Sequence, residues 1–213
     1  MTIDTRDMEI VHRAFRRESR LLVELVAAVA PGDTARAGVV AGHFRDYRLG
    51  LKYHHEGEDE LLWPPLLARV DLEADIVLRM EAQHDRVAAT LTKLDAAVPA
   101  WEAAAGAAER DALVAVLADH RAVLLEHLDD EEATLLPLAA HHLTLAEWTS
   151  LGDHLVANTP KLTLLTLFGL VLEDANPAER ATLLSVLPAP VRGIWHLFGR
   201  PRYARHIRRV RAA

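Results

Sequence analysis

A doubled motif of histidine and acidic residues constrains the fold and chemistry of this chain more than any other feature. The first copy runs His-x-x-x-Glu from His54 to Glu58, followed by a second acid, apolar residues and proline. The second copy repeats this pattern from His127 to Glu131. Residues four apart lie on one face of a helix, so each copy is predicted to present an imidazole and a carboxylate together. These groups, without thiolate, favour a divalent metal such as Fe, Zn or Mn.

A lone histidine precedes each copy at nearly the same separation. Two helical hairpins with this pattern would bring four histidines and two glutamates together inside a four-helix bundle, where di-metal sites are known. A polar patch on an exposed helix would explain one copy, but it does not explain two copies with matched lone histidines. The predicted metal ligands are His12, His54, Glu58, His84, His127 and Glu131.

Three further residues lie close to the motif. One position along a helix turns by about 100°, so His54 and His55 cannot both face the same metal equally. The match with the second copy favours His54, and His55 is expected to support the site from outside the ligand set or to be exposed. Tyr47 and His120 lie two turns before motif histidines, and are expected to hydrogen-bond near the site or to fill the core.

Composition predicts an all-α chain and excludes several classes of protein. The chain has 213 residues, of which 51% are apolar, and no cysteine. It can therefore bury a core, but it cannot form disulfides, iron–sulfur clusters or c-type haem attachments. The N-terminus lacks the apolar segment of a signal peptide, so a cytoplasmic location is expected. The net charge of −7 argues against a nucleic-acid partner for the chain as a whole.

Apolar periodicity and capping signals predict the order of the helices. Four long helices, over about 4–30, 33–62, 71–99 and 109–136, form the bundle within residues 1–142. Asp71 is expected to cap the third helix and Pro99 to end it, with 99–108 as the longest connection and Trp101 attaching it to the bundle. Residues 143–213 are predicted to be a helical extension packed on the bundle, with helix starts at Thr144, Pro160 and Asn176.

The end of the chain is basic. Residues 189–213 hold seven arginines and no acidic residue. We expect this tail to lie on the acidic bundle as a last helix, with its arginines solvated or paired and its apolar side chains docked. Those apolar residues are Val191, Ile194, Trp195, Leu197 and Phe198. Binding of anionic lipid by an amphipathic basic segment is the alternative and the less favoured interpretation, so a membrane partner is not expected.

The motif resembles that of the hemerythrin-like family, also called HHE cation-binding domains. The resemblance rests on His12-x-x-x-Arg16, His54-His55-x-x-Glu58-Asp59, His84 and His127-x-x-x-Glu131-Glu132, and it covers residues 8 to about 142. It implies an up-down four-helix bundle that holds two iron ions in a non-haem di-iron centre. It further implies that the four histidines are terminal ligands, that Glu58 and Glu131 bridge the irons, and that a position stays open for O₂ or a peroxide.

The chain departs from oxygen-carrying members of that family. Those proteins place a second histidine one turn after the histidine of the third helix, where this chain has Ala88. The matched positions then give two histidines to each iron, which disfavours reversible O₂ carriage and leaves room for Tyr47, His120 or solvent. The second acid of the family can also sit one residue later, so Glu132 is an alternative to Glu131.

The predicted function is that of a non-haem di-iron protein that handles O₂, peroxide or a related small oxidant. No separate nucleophile, phosphate loop or organic-cofactor motif is present, and whether the protein is an enzyme stays open. One alternative is a ferritin-like di-iron carboxylate protein, which would use Glu9-x-x-His12 and Glu81-x-x-His84. The other is a metal-binding helical interaction or sensor module whose basic tail is its working part.

Overall fold

A computed structural model describes residues 2–70 and 73–212, and these residues form helices and no strands. The helices are α1 (Arg6–Ala27), α2 (Thr34–Leu61), α3 (Trp63–Leu67), α4 (Ala74–Ala104), α5 (Ala107–Asp130), α6 (Leu136–His142), α7 (Leu145–Asn158), α8 (Lys161–Asp174), α9 (Pro177–Ser185), α10 (Ala189–Ile194) and α11 (Arg200–Arg211). Two π-helical turns, Glu131–Leu135 and Trp195–Gly199, join α5 to α6 and α10 to α11. The predicted all-α class is confirmed.

Four long helices form the bundle. Helix α1 packs on α2 and α5, and α4 also packs on α2 and α5, so the four close a ring in chain order. The core consists of two apolar clusters, one containing Phe15 and Leu51 and the other containing Met8 and Leu62. In each of the four helices the predicted ligands lie between residues of one cluster and residues of the other. The fold therefore places a polar layer inside an apolar bundle.

Helix α4 differs from its prediction at its C-terminal end. Pro99 was expected to end it, but the helix continues to Ala104 with Pro99 inside. A proline inside a helix removes one hydrogen bond, and burial of Val98 and Trp101 on either side favours continuing the helix. The long connection shrinks to Ala105, in the left-handed region at φ 47°, and Gly106. Trp101 is fully buried and does attach this end to the bundle, whereas the predicted cap Asp71 lies outside the described residues.

The fourth bundle helix was predicted to run without a break, and it instead contains a π-helical turn. This turn begins at Glu131, where the Leu136 N–H donates to the carbonyl of Glu131. Pro137 follows directly and has no N–H to donate, so the ordinary helical pattern could not be completed there. π-Helical turns occur frequently at functional sites, and this one places Glu131 at its first residue.

The extension covers one side of the bundle. Helix α7 packs on α2, α8 packs on α1 and α2, and α11 packs on α8 and α2. The predicted starts at Thr144 and Asn176 are confirmed as capping boxes. Glycines on α2 allow the close approach, because a Cβ at Gly50 would lie 2.8 Å from Leu167 of α8. None of the described helices is long and apolar enough to cross a membrane.

The basic tail ends in a helix that packs on the bundle, as predicted, but it does not dock through the expected residues. Of the five apolar residues that were expected to dock, only Trp195 is buried, and its ring packs edge-on against Phe168 with centroids 4.9 Å apart. Val191, Ile194, Leu197 and Phe198 are exposed instead. The reason is that α11 docks through another apolar face, formed by Tyr203, Ile207 and Val210.

Candidate metal centre

All six predicted ligands lie together in the bundle. With His55 they make a cluster of seven residues, which forms two adjacent groups. The first group is His55, Glu58, His84 and His127, and the second group is His12, His54, Glu58 and Glu131. Within each group one ligand atom from every residue lies within 4.8 Å of the others. Glu58 belongs to both groups, so they form one continuous cluster with two centres.

The ligand atoms of this cluster are buried and lack hydrogen-bond partners among the described residues. They comprise Nε2 of all five histidines and both carboxylate oxygens of Glu58 and Glu131. Buried polar atoms in folded proteins nearly always have a partner, and each exception requires an explanation. A bound cation supplies one, because imidazole nitrogens and carboxylate oxygens are ligands of divalent transition metals. The residues present therefore fit a metal centre.

The separations between ligand atoms also fit shared cations. Ligands bound at about 2.1 Å and at ordinary coordination angles lie roughly 3.0–3.4 Å apart. The observed separations are 3.4 Å from His12 Nε2 to Glu131 Oε2, 3.4 Å from His54 Nε2 to Glu58 Oε1, 3.4 Å from His84 Nε2 to Glu58 Oε2, and 3.5 Å from His127 Nε2 to Glu131 Oε2. Each glutamate thus lies near one histidine of each group.

Burial sets the charge of the cluster. It lowers the pKa of His54 and His55 well below the ordinary histidine value, and lowers the pKa of His127 to about 2. These imidazoles are therefore neutral, the form that binds a metal. Burial raises the pKa of both Glu58 and Glu131, and repulsion from Glu131 raises that of Glu58 further. A bound cation would compensate the charge that these two carboxylates acquire on losing their protons.

Two further acids orient the lone histidines. Nδ1 of His84 donates to Asp59 Oδ1 at 2.7 Å, and Nδ1 of His12 donates to Glu132 Oε1 at 2.9 Å. Because a carboxylate accepts, each of these hydrogen bonds places a proton on Nδ1 and directs Nε2 into the cluster. Burial would raise the pKa of Glu132, but hydrogen bonds from His12 and Arg16 lower it below its usual value. Glu131, and not Glu132, belongs to the second candidate group.

A third orienting residue was not predicted. Nδ1 of His127 donates to Gln83 Oε1 at 3.2 Å, and Gln83 Nε2 donates to Asp130 at 2.8 Å. Gln83 immediately precedes His84 in the sequence, so its position beside a candidate ligand was the available signal. The role depends on which residues of α4 and α5 face each other, and spacing within one helix does not encode that.

Tyr47 and His120 lie in the core outside both groups, and they hydrogen-bond there, as expected. The Tyr47 hydroxyl donates to His120 Nε2 at 2.7 Å, and His120 Nδ1 donates to the Thr90 hydroxyl at 2.8 Å. Thr90 in turn donates to the carbonyl of Val87. Burial lowers the pKa of His120 to about 4. This chain of bonds is satisfied without a metal, so neither residue has a free ligand atom.

His55 was expected to lie outside the ligand set or to be exposed, but it is buried and lies in the first candidate group. The residue is 7% exposed, and its ring stacks on that of His84 with centroids 4.1 Å apart. The turn of about 100° between neighbouring helical residues directs His54 to one group and His55 to the other. Two adjacent histidines cannot face the same centre equally, but each can face one of two centres. The His-His pair itself was the signal for this.

The ligand set of the ferritin-like alternative is not assembled. That alternative requires Glu9 and Glu81 beside His12 and His84. Glu9 is exposed, Glu81 is half-buried, and neither joins the two groups. Helices α1 and α4 therefore contribute only histidine to the cluster.

Comparison with known proteins agrees with this geometry. The chain is 25% identical over 177 residues to a zinc finger protein, BRUTUS-like, of Arabidopsis thaliana, and the match covers 80% of this chain but only 14% of that relative. No solved structure shows a significant match. The model of the hemerythrin HHE cation-binding domain matches residues 4–139, which is more than half of the chain and includes every residue of the two groups. The chain therefore belongs to the hemerythrin HHE cation-binding domain family.

Proposed function

We propose that this protein binds two iron ions, one in each group, and that the resulting centre reacts with O₂, peroxide or a related small oxidant. The observation that carries the proposal is the set of nine buried ligand atoms without partners, five imidazole nitrogens and four carboxylate oxygens. Divalent transition metals take about four to six ligands. A single ion could not satisfy all nine atoms, which favours two.

The donor set favours iron over several other metals. The cluster offers nitrogen and oxygen and no thiolate, a set that suits iron, and it belongs to a family of cation-binding domains. With Glu58 and Glu131 between the groups, two irons would be close enough to act on one small molecule. Bound iron would supply the redox chemistry toward O₂ or peroxide without an organic cofactor.

The surrounding residues of the chain would prepare the centre. Asp59, Glu132 and Gln83 hold three histidines with Nε2 directed into the cluster. Phe15 packs against His54 with ring centroids 5.1 Å apart, and Trp63 packs against His84 at 5.5 Å. These buried aromatic side chains exclude water, and the burial of the ligands favours small diatomic molecules or peroxide over bulky substrates.

The principal test is metal content. Protein purified with iron should carry about two Fe per chain and show ferric charge-transfer absorption in the near ultraviolet. Glu58→Ala should lose both ions, because Glu58 lies in both groups, whereas exposed His141→Ala should retain them. Full iron content in Glu58→Ala would contradict the proposed site. A single zinc ion and no affinity for iron would instead favour the helical interaction module.

Reactivity requires its own measurement. Oxygen evolution should be followed after peroxide is added to the iron-loaded protein, with Glu131→Ala and free ferric iron as controls. Turnover well above both controls would identify a peroxide-decomposing enzyme. A rate equal to that of free iron would leave a metal-binding protein, and O₂ or NO binding would then be tested by the visible spectrum.

A further inference from the structure

An exposed apolar surface lies on the C-terminal segment, where a docked tail was expected. It is formed by Val191, Ile194, Leu197 and Phe198, which we call the apolar ridge. Leu197 is 72% exposed and Phe198 is 67% exposed. Ile194 lies three positions after Val191, and Leu197 and Phe198 lie three and four positions after Ile194, so the four residues share one broad side of α10 and the π-helical turn that follows. Contiguous exposed apolar residues of this kind mark interaction sites.

The ridge is held in place by the opposite side of the same segment. Trp195 is buried and packs against Phe168 of α8. Gly199 is buried against Leu165, which a Cβ at this position would approach to 3.1 Å. The segment is thus attached to the extension by Trp195 and Gly199. Because Trp195 and Gly199 make the contacts with the extension, the side chains of the ridge face away from the protein.

Five exposed arginines continue from the ridge along α11. They are Arg200, Arg202, Arg205, Arg208 and Arg209, and none of them forms an ion pair within residues 2–70 and 73–212. Arg211 differs, because it pairs with Glu173 and Glu18 and fastens the helix to the bundle. The chain has an excess of acidic residues, yet none of them pairs with these five arginines among the described residues.

We propose that the apolar ridge and these five arginines bind the surface of an anionic phospholipid bilayer. A segment with exposed leucine and phenylalanine beside a row of arginines suits the interface of such a bilayer, where apolar side chains enter the acyl boundary and cations meet the headgroups. The negative charge of the rest of the chain would be repelled by that surface, which orients the protein with the ridge inward. The attachment is peripheral.

Two other partners fit these observations less well. Nucleic acid would use the arginines, but its phosphates offer nothing to Leu197 and Phe198. A second copy of this chain would cover the ridge, but a two-fold interface would bring the arginine rows of both copies together. An anionic bilayer offers acyl chains to the apolar ridge and charged headgroups to the arginines.

Flotation of the full-length protein with vesicles tests the proposal. Vesicles of phosphatidylcholine alone are compared with vesicles that contain about 30% phosphatidylglycerol. The protein should float with the anionic vesicles only, and high salt should weaken the binding. Leu197→Ser/Phe198→Ser should reduce the affinity about tenfold or more. Each of Arg200→Gln, Arg202→Gln and Arg205→Gln should reduce it about fivefold.

The matched control is Leu145→Ser/Leu162→Ser, which removes apolar side chains that are 64% and 58% exposed outside the segment. This control should float as the wild type does, and every variant should keep its helicity and metal content. Absence of binding to anionic vesicles, or equal binding to neutral ones, would overturn the proposal. So would a lipid-free dimer that Leu197→Ser/Phe198→Ser dissociates, or duplex DNA binding that outcompetes the vesicles.

Discussion

Asp59 of the first hairpin accepts a hydrogen bond from His84 of the second, and Glu132 of the second hairpin accepts one from His12 of the first. In both copies of the motif, the acid that directly follows the glutamate of the candidate ligand set, Glu58 or Glu131, is the one that reaches across. The doubled motif therefore encodes a candidate ligand and, one residue later, the group that orients a lone histidine on the opposite hairpin.

Removal of either orienting acid should weaken metal binding without removing a ligand. Asp59→Ala and Glu132→Ala should each lower the affinity for iron about 10- to 100-fold, because the imidazole loses its fixed orientation and some basicity. Asp59 also accepts from the Trp63 indole at 2.7 Å, so its loss frees that ring as well. Metal titration measures the effect, with exposed Glu60→Ala as the control. Affinities equal to that of the control would show that these bonds are structural only.

His55→Ala should affect one centre more than the other. The substitution leaves Glu58, His84 and His127 in the first group and leaves the second group complete. We expect the iron content to fall from about two toward one per chain, with helicity unchanged. Metal analysis beside circular dichroism measures this, and half-buried His142→Ala is the control. Two tightly held ions in His55→Ala would mean that the ring only packs against His84.

Metal binding should weaken as the pH falls. Burial raises the pKa of Glu58 and Glu131 above the ordinary value of 4.5, so protons compete for these carboxylates at a higher pH than at exposed ones. Above the raised pKa values a cation binds without releasing protons. Below them each carboxylate must release one, and the affinity falls by up to about tenfold per proton and pH unit.

Titration with Co(II) at several pH values between about 8 and 5 measures this dependence. His54, His55 and His127 should contribute little, because their lowered pKa values keep them neutral in this range. A constant affinity down to about pH 5 would contradict protonation of Glu58 and Glu131 in this range.

The attachment of α11 should depend on the absence of a side chain at residue 169. A Cβ at Gly169 would overlap the ring of Tyr203, whereas a Cβ at Gly152 of α7 would have no heavy atom within 4 Å. Gly169→Ala should lower the free energy of unfolding by about 1–3 kcal/mol. Gly152→Ala should raise it by about 0.5–1 kcal/mol, because alanine favours the helix. Chemical denaturation separates the two, and a neutral Gly169→Ala would show that Tyr203 moves aside.

The sequence predicted the bundle and the six motif residues because both follow from spacing along helices. A spacing of four residues fixes which side chains share a face, and the repeat identifies the helices that meet. His55 was not predicted as a candidate ligand because neighbouring helical residues cannot face one metal equally. The bundle forms two groups, and His54 and His55 face one each. Gln83 and the orienting acids depend on contacts between helices, which spacing within one helix does not encode.

The ends of helices were predicted less well, again for a physical reason. Pro99 and Pro137 both indicate that a helix should stop, since neither can donate a backbone hydrogen bond. Burial of Trp101 continues α4 beyond Pro99, and a π-helical turn carries the chain past Pro137. For the tail, the prediction overestimated burial. Helix α11 packs through a different apolar face, and Leu197 and Phe198 stay exposed.

Each of the two groups draws ligands from both hairpins, and this has a consequence for how the chain resists unfolding. A cation in the second group would tie α1 to α5, and one in the first would tie α2 to α4. In a chain without cysteine, such ions would take the part that disulfides play elsewhere, closing long loops and restricting the unfolded chain. Unlike disulfides, these cross-links would open and close with the supply of metal, so the rigidity of the bundle would follow the iron available to it.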